Sequence, residues 1–175
     1  MFKAILILFI VFCVGCEQRP RERHYTQVLL EPTSSPTEEG ALSWRLPQGW
    51  VEEKNESQMR MATFRLAADP DAFDCSIVLL PGGAGGLEAN LKRWMGQIKL
   101  EAGDEEFKQF INRSSNNVFD FSKLQVGQEP QTESMIAAMI ELNNQTIFVK
   151  LKGTIASVTA NKKEFLSLSS SVKSK

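Results

Sequence analysis

A chain of 175 residues with 20 lysines and arginines against 21 aspartates and glutamates carries a formal net charge of −1, so no global basic field draws it to nucleic acid. The length fits one domain plus a tail, able to bury about two-thirds of its unfolded surface. One histidine and three cysteines leave little material for a metal centre, a Ser-His-Asp triad or a disulfide framework.

In chain order, residues 1–15 read as an export signal. Lys3 supplies a positive start, and Ala4 to Val14 give about eleven apolar positions, enough for a signal core and short of the roughly 20 needed to span a bilayer. Cys13-Val14-Gly15-Cys16 resembles the bacterial lipobox. That resemblance implies cleavage before Cys16, diacylation of its thiol and acylation of the new amine. Lipid contributes about 0.8 kcal/mol per buried methylene, so two or more chains hold a protein stably without a span. The alternatives are an ordinary secretory signal with a chance cysteine, or an uncleaved anchor. Removing fifteen residues, including Lys3, leaves 160 with 19 basic and 21 acidic, near −2.

Residues 16–40 read as a flexible tether. Pro20, Pro32 and Pro36, the cluster Arg19, Arg21, Glu22, Arg23, and Thr33 to Thr37 show no sustained period of 2 or 3.6 outside Tyr25 to Leu30. The only histidine, His24, falls here; Arg19, Arg21 and Arg23 are within the chemistry of anionic headgroups, with a solvated linker the safer reading.

From Ala41 the pattern becomes short strands, and residues 41–175 read as one α+β domain. Leu42 to Leu46 alternates, Pro47 to Gly49 make a turn, and Trp50-Val51 resume an apolar face. Met59 to Leu66 is a further strand, Asp69-Pro70-Asp71 is turn chemistry, and Cys75 to Leu80 is a near-continuous apolar strand expected to be buried on both faces. Cys75, alone in that run, reads as a small buried apolar residue rather than a nucleophile.

Pro81-Gly82-Gly83-Ala84-Gly85-Gly86 opens a helix over Leu87 to Leu100, with Leu87, Leu91, Trp94 and Ile98 on one stripe and Glu88, Lys92, Arg93 and Gln97 opposite. A glycine-rich loop at a helix start invites an anion-binding reading. The details oppose it: Gly86-Leu87-Glu88 stands where a P-loop needs Gly-Lys-Ser/Thr, and Glu88 takes the place of a dinucleotide fingerprint's third glycine. A structural crossover, sharp and close to its neighbours, is the better expectation.

Glu105 to Ile111 is a short amphipathic piece. Val118 to Val126 is expected as a strand with Phe119 and Phe121 on one face, broken by Gly127 to Thr132. Met135 to Leu142 and Gln145 to Lys152 form a hairpin about Asn143-Asn144, with Ile147, Val149 and Leu151 inward. One last helix follows Gly153-Thr154, burying Val158, Phe165, Leu168 and Val172. The sum is an antiparallel sheet flanked by helices.

This order, with Leu46-Pro47-Gln48-Gly49-Trp50 after the first strand and Phe148-Val149-Lys150-Leu151-Lys152-Gly153 before a terminal helix carrying Phe165 and Ser169-Ser170-Ser171, resembles the PsbP-like fold, named for the extrinsic photosystem II subunit. Leu80 to Gly86 and Ala89-Asn90-Leu91-Lys92-Arg93-Trp94 more closely resemble exported Gram-negative lipoproteins. The resemblance covers Ala41 to Lys175 and implies an α/β/α sandwich and a non-enzymatic module that docks to protein complexes. Fold analogy supplies no partner.

Two functional readings follow. The first is a lipid-anchored envelope module, monomeric and without cofactor or metal, held on the bilayer by acylated Cys16 and binding or assembling a protein complex. The second is a small-ligand or anion binder, less readily a hydrolase, at Pro81 to Gly86 with carboxylates such as Glu88 and Asp74 or Glu105 and Glu106. The candidate surface is Gly82, Gly83, Gly85, Gly86, Arg93, Trp94 and Trp50, although tryptophans in a domain this small are more often core.

Overall fold

The computed structural model describes residues 42–54, 57–124, 131–142 and 144–175. The signal segment, Cys16, His24 and the tether lie outside the described residues. In order the elements are β1 (Leu42–Ser43), β2 (Trp50–Glu53), β3 (Ala62–Leu66), β4 (Phe73–Pro81), α1 (Leu87–Gln97), α2 (Asp104–Arg113), β5 (Val118–Asp120), β6 (Glu133–Leu142), β7 (Gln145–Thr154), α3 (Ile155–Ala160), α4 (Lys162–Ser171) and β8 (Lys173–Ser174).

Six strands form one antiparallel sheet in the order β2-β3-β4-β7-β6-β5. Its centre is the pair β4–β7, in register from Phe73↔Gly153 to Pro81↔Gln145, and the hairpin β6–β7, from Glu133↔Thr154 to Leu142↔Gln145. The last pair fits a two-residue connection, as Asn143-Asn144 implies; Asn143 itself lies outside the described residues. Alternation along β6 and β7 sorts side chains to two faces. Ile136, Ala138, Ile147, Val149 and Leu151 join Phe64, Cys75 and Ile77 under Val158, Phe165 and Leu168 of α3 and α4. Met135, Ala137, Met139 and Phe148 join Phe119 and Phe121 under Leu91, Trp94, Met95 and Ile98 of α1 and Phe107 and Phe110 of α2. The chain is thus an α+β sandwich with helices on both faces of an antiparallel sheet.

Three local features depart from the sequence expectation, and a turn for which the sequence held no expectation accompanies the second. The Leu42 segment pairs with the C-terminal residues, Leu42↔Ser174 and Ser43↔Lys173, and not with the sheet. The strand at Val118 ends at Asp120, whose carboxylate accepts the Ser122 N–H at 3.2 Å and caps a 3-10 turn over Phe121–Lys123; side chains that bond nearby backbone in this way compete with a ladder. Before it, Asn116 and Asn117 both take φ of 54° between Ser115 and Val118, which bridge each other, a turn with two left-handed positions that asparagine tolerates. The terminal helix is two helices broken at Asn161 (φ −101°, ψ 8°), the first capped by Thr154, whose hydroxyl accepts the Ser157 N–H at 3.1 Å. Among the described residues no helix is long and apolar enough to cross a membrane.

Candidate functional site

The glycine-rich loop is a crossover held from beneath by one side chain. Asn90, fully buried in the second turn of α1, donates from Nδ2 to the carbonyls of Ala84 at 2.9 Å and Gly86 at 2.7 Å. Thr146 of β7 donates to the Gly82 carbonyl at 2.6 Å, and the Gly82 N–H donates to the Asn144 carbonyl at 2.8 Å. The Gly86 N–H is also engaged, by Gly83 O at 2.9 Å. An anion site needs convergent free N–H donors; this loop is organised through its carbonyls, with Glu88 in the first helical turn. Glycine is required by conformation, φ being 59°, 87° and 87° at Gly82, Gly85 and Gly86, and not by crowding, since a Cβ at Gly82, Gly83, Gly85 or Gly86 meets nothing within 4 Å. The sharp turn is as expected; the close approach is not.

Two of the proposed surface residues are core. Trp50 packs on Phe73 with ring centroids 4.6 Å apart, and Trp94 stands edge-on to Phe148 at 5.0 Å. Both are buried, because each fills the space between a sheet face and the chain that crosses it. Neither presents a ring to a partner. Cys75 is buried as well, and desolvation pushes its thiol well above the ordinary value, Asp74 adding to the effect, which leaves an inert thiol. Glu105 pairs with Lys108 at 3.1 Å on an exposed helix face. Among the described residues no group of three or more His, Cys, Asp or Glu could hold a metal.

Arg93 remains, and it leads to a surface the sequence did not single out. The sheet face beneath α1 and α2 is covered only in part: no residue of β2 or β3 joins that helical cluster. Across the face, register places Thr63, Ser76, Lys150, Ala137 and Phe119 in one row. Helices cover the Phe119 and Ala137 end. Charged side chains occupy the rest. Arg60 grips Asp74 with two parallel bonds of 2.9 Å, a bidentate geometry among the stronger ion pairs. Arg65 lies 3.5 Å from Asp74 and 3.2 Å from Glu53, and also donates to the Phe73 carbonyl at 2.9 Å. Lys152 pairs with Glu133 at 3.2 Å. Arg93 donates to the Asn90 side-chain oxygen at 3.1 Å.

Lys150, like Arg93, lacks an acid partner: among the described residues no acid lies within ion-pair distance of either. Burial pushes its ammonium below the ordinary lysine value, the charges of Arg60 and Arg93 add to that, and Asp74 opposes it. For Asp74 itself burial works toward a higher value, but the Arg60 hydrogen bond, with the charges of Arg60, Arg65 and Lys150, outweighs it and holds the carboxyl below its usual range. The half-face thus gathers Arg60, Arg65, Arg93, Lys150 and Lys152 about Glu53, Asp74 and Glu133, a local positive surplus on a chain that is negative as a whole. The signal for it in the sequence is Lys150-Leu151-Lys152, two cations at a strand period of 2 in an otherwise apolar run, with Asp74 as the matching charge inside β4.

No protein-family model matches the chain, and no curated protein matches it in sequence. Among solved structures it is similar to a protein from Bacteroides thetaiotaomicron, at 12% identity and a TM-score of 0.44, over 77% of this chain and 45% of that one. The chain therefore spans under half the length of that protein. It is also similar to cyanobacterial PsbP from Synechocystis, at 14% identity and a TM-score of 0.39, over 79% of this chain and 89% of that one.

Proposed function

We propose that this protein is a lipid-anchored module of the bacterial cell envelope that docks a protein partner, without catalysis, through the charged half-face of its sheet. The observation that carries the reading is Lys150, a half-buried cation near Arg60 and Arg93 whose one acidic neighbour, Asp74, is already gripped by Arg60 at 2.9 Å. A charge left so in the free domain is satisfied by an acidic side chain from outside, and a face of mixed charge set on a rigid sheet favours a protein over the diffuse attraction of a headgroup layer. Acylated Cys16 supplies the anchor, and the tether of residues 16–40 lets the domain search near the bilayer. Concentrating a domain at a surface raises its effective concentration toward a partner there.

Metabolic lipid labelling with Cys16→Ser as control tests the anchor. A photocrosslinking amino acid at Val51, exposed on the same face, tests the docking surface against one at Lys108, exposed on α2. The expected result is lipid incorporation lost in Cys16→Ser and an envelope-protein adduct from Val51 alone. Equal adducts from Lys108, or none from Val51, would remove the docking reading; label retained in Cys16→Ser would remove the anchor.

A further inference from the structure

A second concave feature lies away from the charged half-face. At the outer edge of the sheet a cleft of about 680 Å³ opens between α2, β5, the 3-10 turn and α4, within the size range of small-molecule sites. Its apolar lining is Phe110, Val118, Leu124 and Leu166. Leu166 leaves 38% of its surface in water.

The charges of the lining do not cancel. Two acids, Glu106 and Asp120, stand against three cations, Arg113, Lys123 and Lys162. Asp120 accepts from Lys162 at 2.7 Å and from the Ser122 hydroxyl at 2.6 Å. Glu106 turns back along its helix, its carboxylate lying against the place a Gly103 Cβ would take. Glu106 lies in the first turn of α2, whereas Arg113 ends the helix, roughly 10 Å further along the axis at 1.5 Å per residue. Among the described residues Arg113 bonds the neutral Gln109 side chain, and neither Arg113 nor Lys123 has an acid within ion-pair distance. Four apolar side chains in a lining that also holds two cations with no acid within ion-pair distance among the described residues are complementary to one kind of ligand.

We propose that this cleft binds a small amphipathic anion, a carboxylate on an apolar body, with its charge held by Arg113 and Lys123 and its body on Phe110, Val118, Leu124 and Leu166. The inference is independent of the docking reading, since it shares no residue with the charged half-face. Lys162 is committed to Asp120, so the charge of the ligand is drawn to the other two cations, and the exposed edge of Leu166 is covered when the cleft is filled.

Equilibrium dialysis of the full chain against dodecanoate below its micellar concentration tests the proposal, with dodecanol and acetate as probes lacking charge or apolar body. Saturable binding of dodecanoate is expected, weakened about ten-fold or more in the double variant Arg113→Gln, Lys123→Gln, as loss of charge-assisted contacts implies. Leu166→Glu, at an exposed position, should weaken it comparably by opposing both the charge and the chain, and serves alone if the double variant does not melt cooperatively. No saturable binding, dodecanol bound as tightly as dodecanoate, or affinity unchanged in these variants would overturn the assignment. Uptake into the signal segment or attached lipid would appear as binding indifferent to all three substitutions, and counts against it too.

Discussion

The Lys162 ammonium stands 2.7 Å from the Asp120 carboxylate, tying the first turn of α4 to the outermost strand of the sheet. Burial works against the Asp120 charge, but hydrogen bonds from Lys162 and Ser122 together with the Lys162 charge outweigh it, and the carboxyl is held below its ordinary 3.8. A depressed folded value means that the stabilisation is complete above the unfolded value and is lost as pH falls through the folded one. Asp120→Asn should therefore melt lower than the parent near pH 6 and converge on it below about pH 4. Lys162→Met, which leaves a half-buried carboxylate unpaired, should cost roughly 1–3 kcal/mol, between an exposed and a buried pair. Thermal melts from pH 2.5 to 6.5 read both. Parallel curves for parent and Asp120→Asn across that range would show that the pair is not what titrates.

Asn90 makes a separable prediction. It is fully buried and bonds two loop carbonyls, so Asn90→Ala orphans polar groups and should cost about 1–3 kcal/mol. Asn90→Asp should be worse, since an ionised carboxylate cannot donate to carbonyls. Gly83→Ala, where φ is not positive and the added methyl meets nothing, should be near neutral, whereas Gly86→Ala at φ 87° is strained by about 1 kcal/mol or more. Denaturant unfolding orders the four variants. A loop indifferent to Asn90 would mean that its glycines alone set the crossover.

What could be read from the sequence followed how locally each feature is determined. The Leu91, Trp94 and Ile98 stripe and the Ile147, Val149 and Leu151 alternation were legible because each is a period within one element, and all six are buried. The break at Asn161 was not: the apolar spacing from Val158 to Phe165 to Leu168 continues through it, and only the Asn161 side chain, bonding the Ser157 carbonyl at 2.9 Å, marks the place. The strand past Asp120 failed for the same reason, a side-chain cap overriding a favourable pattern. The pairing of Leu42 with Ser174 and the grip of Arg60 on Asp74 are contacts between distant residues, for which one sequence holds no local signal. The charged half-face depends further on where α1 and α2 stop covering the sheet, a matter of packing. Residue type alone leaves Trp50 and Trp94 open between surface and core, and their burial follows from the strand and helix that carry them.

Gly153 is held by contact and not by conformation. It pairs with Phe73 in β7–β4, and a Cβ there would stand 2.7 Å from the Ala72 carbonyl and 3.2 Å from the Phe73 Cβ. Backbone on the near side cannot rotate away as a flexible side chain can. Gly153→Ala should cost about 1–3 kcal/mol by overpacking the central strand pair, despite the better intrinsic strand fit of alanine. Chemical denaturation checks it; a change under 0.5 kcal/mol would mean that the bend between Asp71 and Phe73 gives freely.

Lys150 carries a prediction that sets stability against the proposed docking. Because burial and the charges of Arg60 and Arg93 hold its pKa down, with Asp74 alone acting the other way among its named neighbours, the folded state carries this proton less readily than the unfolded chain. Between the folded value and the ordinary 10.5 the unfolded chain therefore binds more protons, and the Lys150 contribution makes stability rise with pH. Lys150→Met keeps the apolar stem and removes the charge. At pH 7 it should melt at the same temperature as the parent or higher, and the difference between the two should close as pH approaches 10.5. The same substitution should reduce the Val51 photocrosslink several-fold, while Lys108→Met should leave it unchanged. A residue kept at a cost to the free domain and needed for the complex is the pattern expected of a binding site. If Lys150→Met instead lowers the melting temperature by several degrees at pH 7, its charge is structural, and Arg93 with Arg60 would have to carry the docking without it.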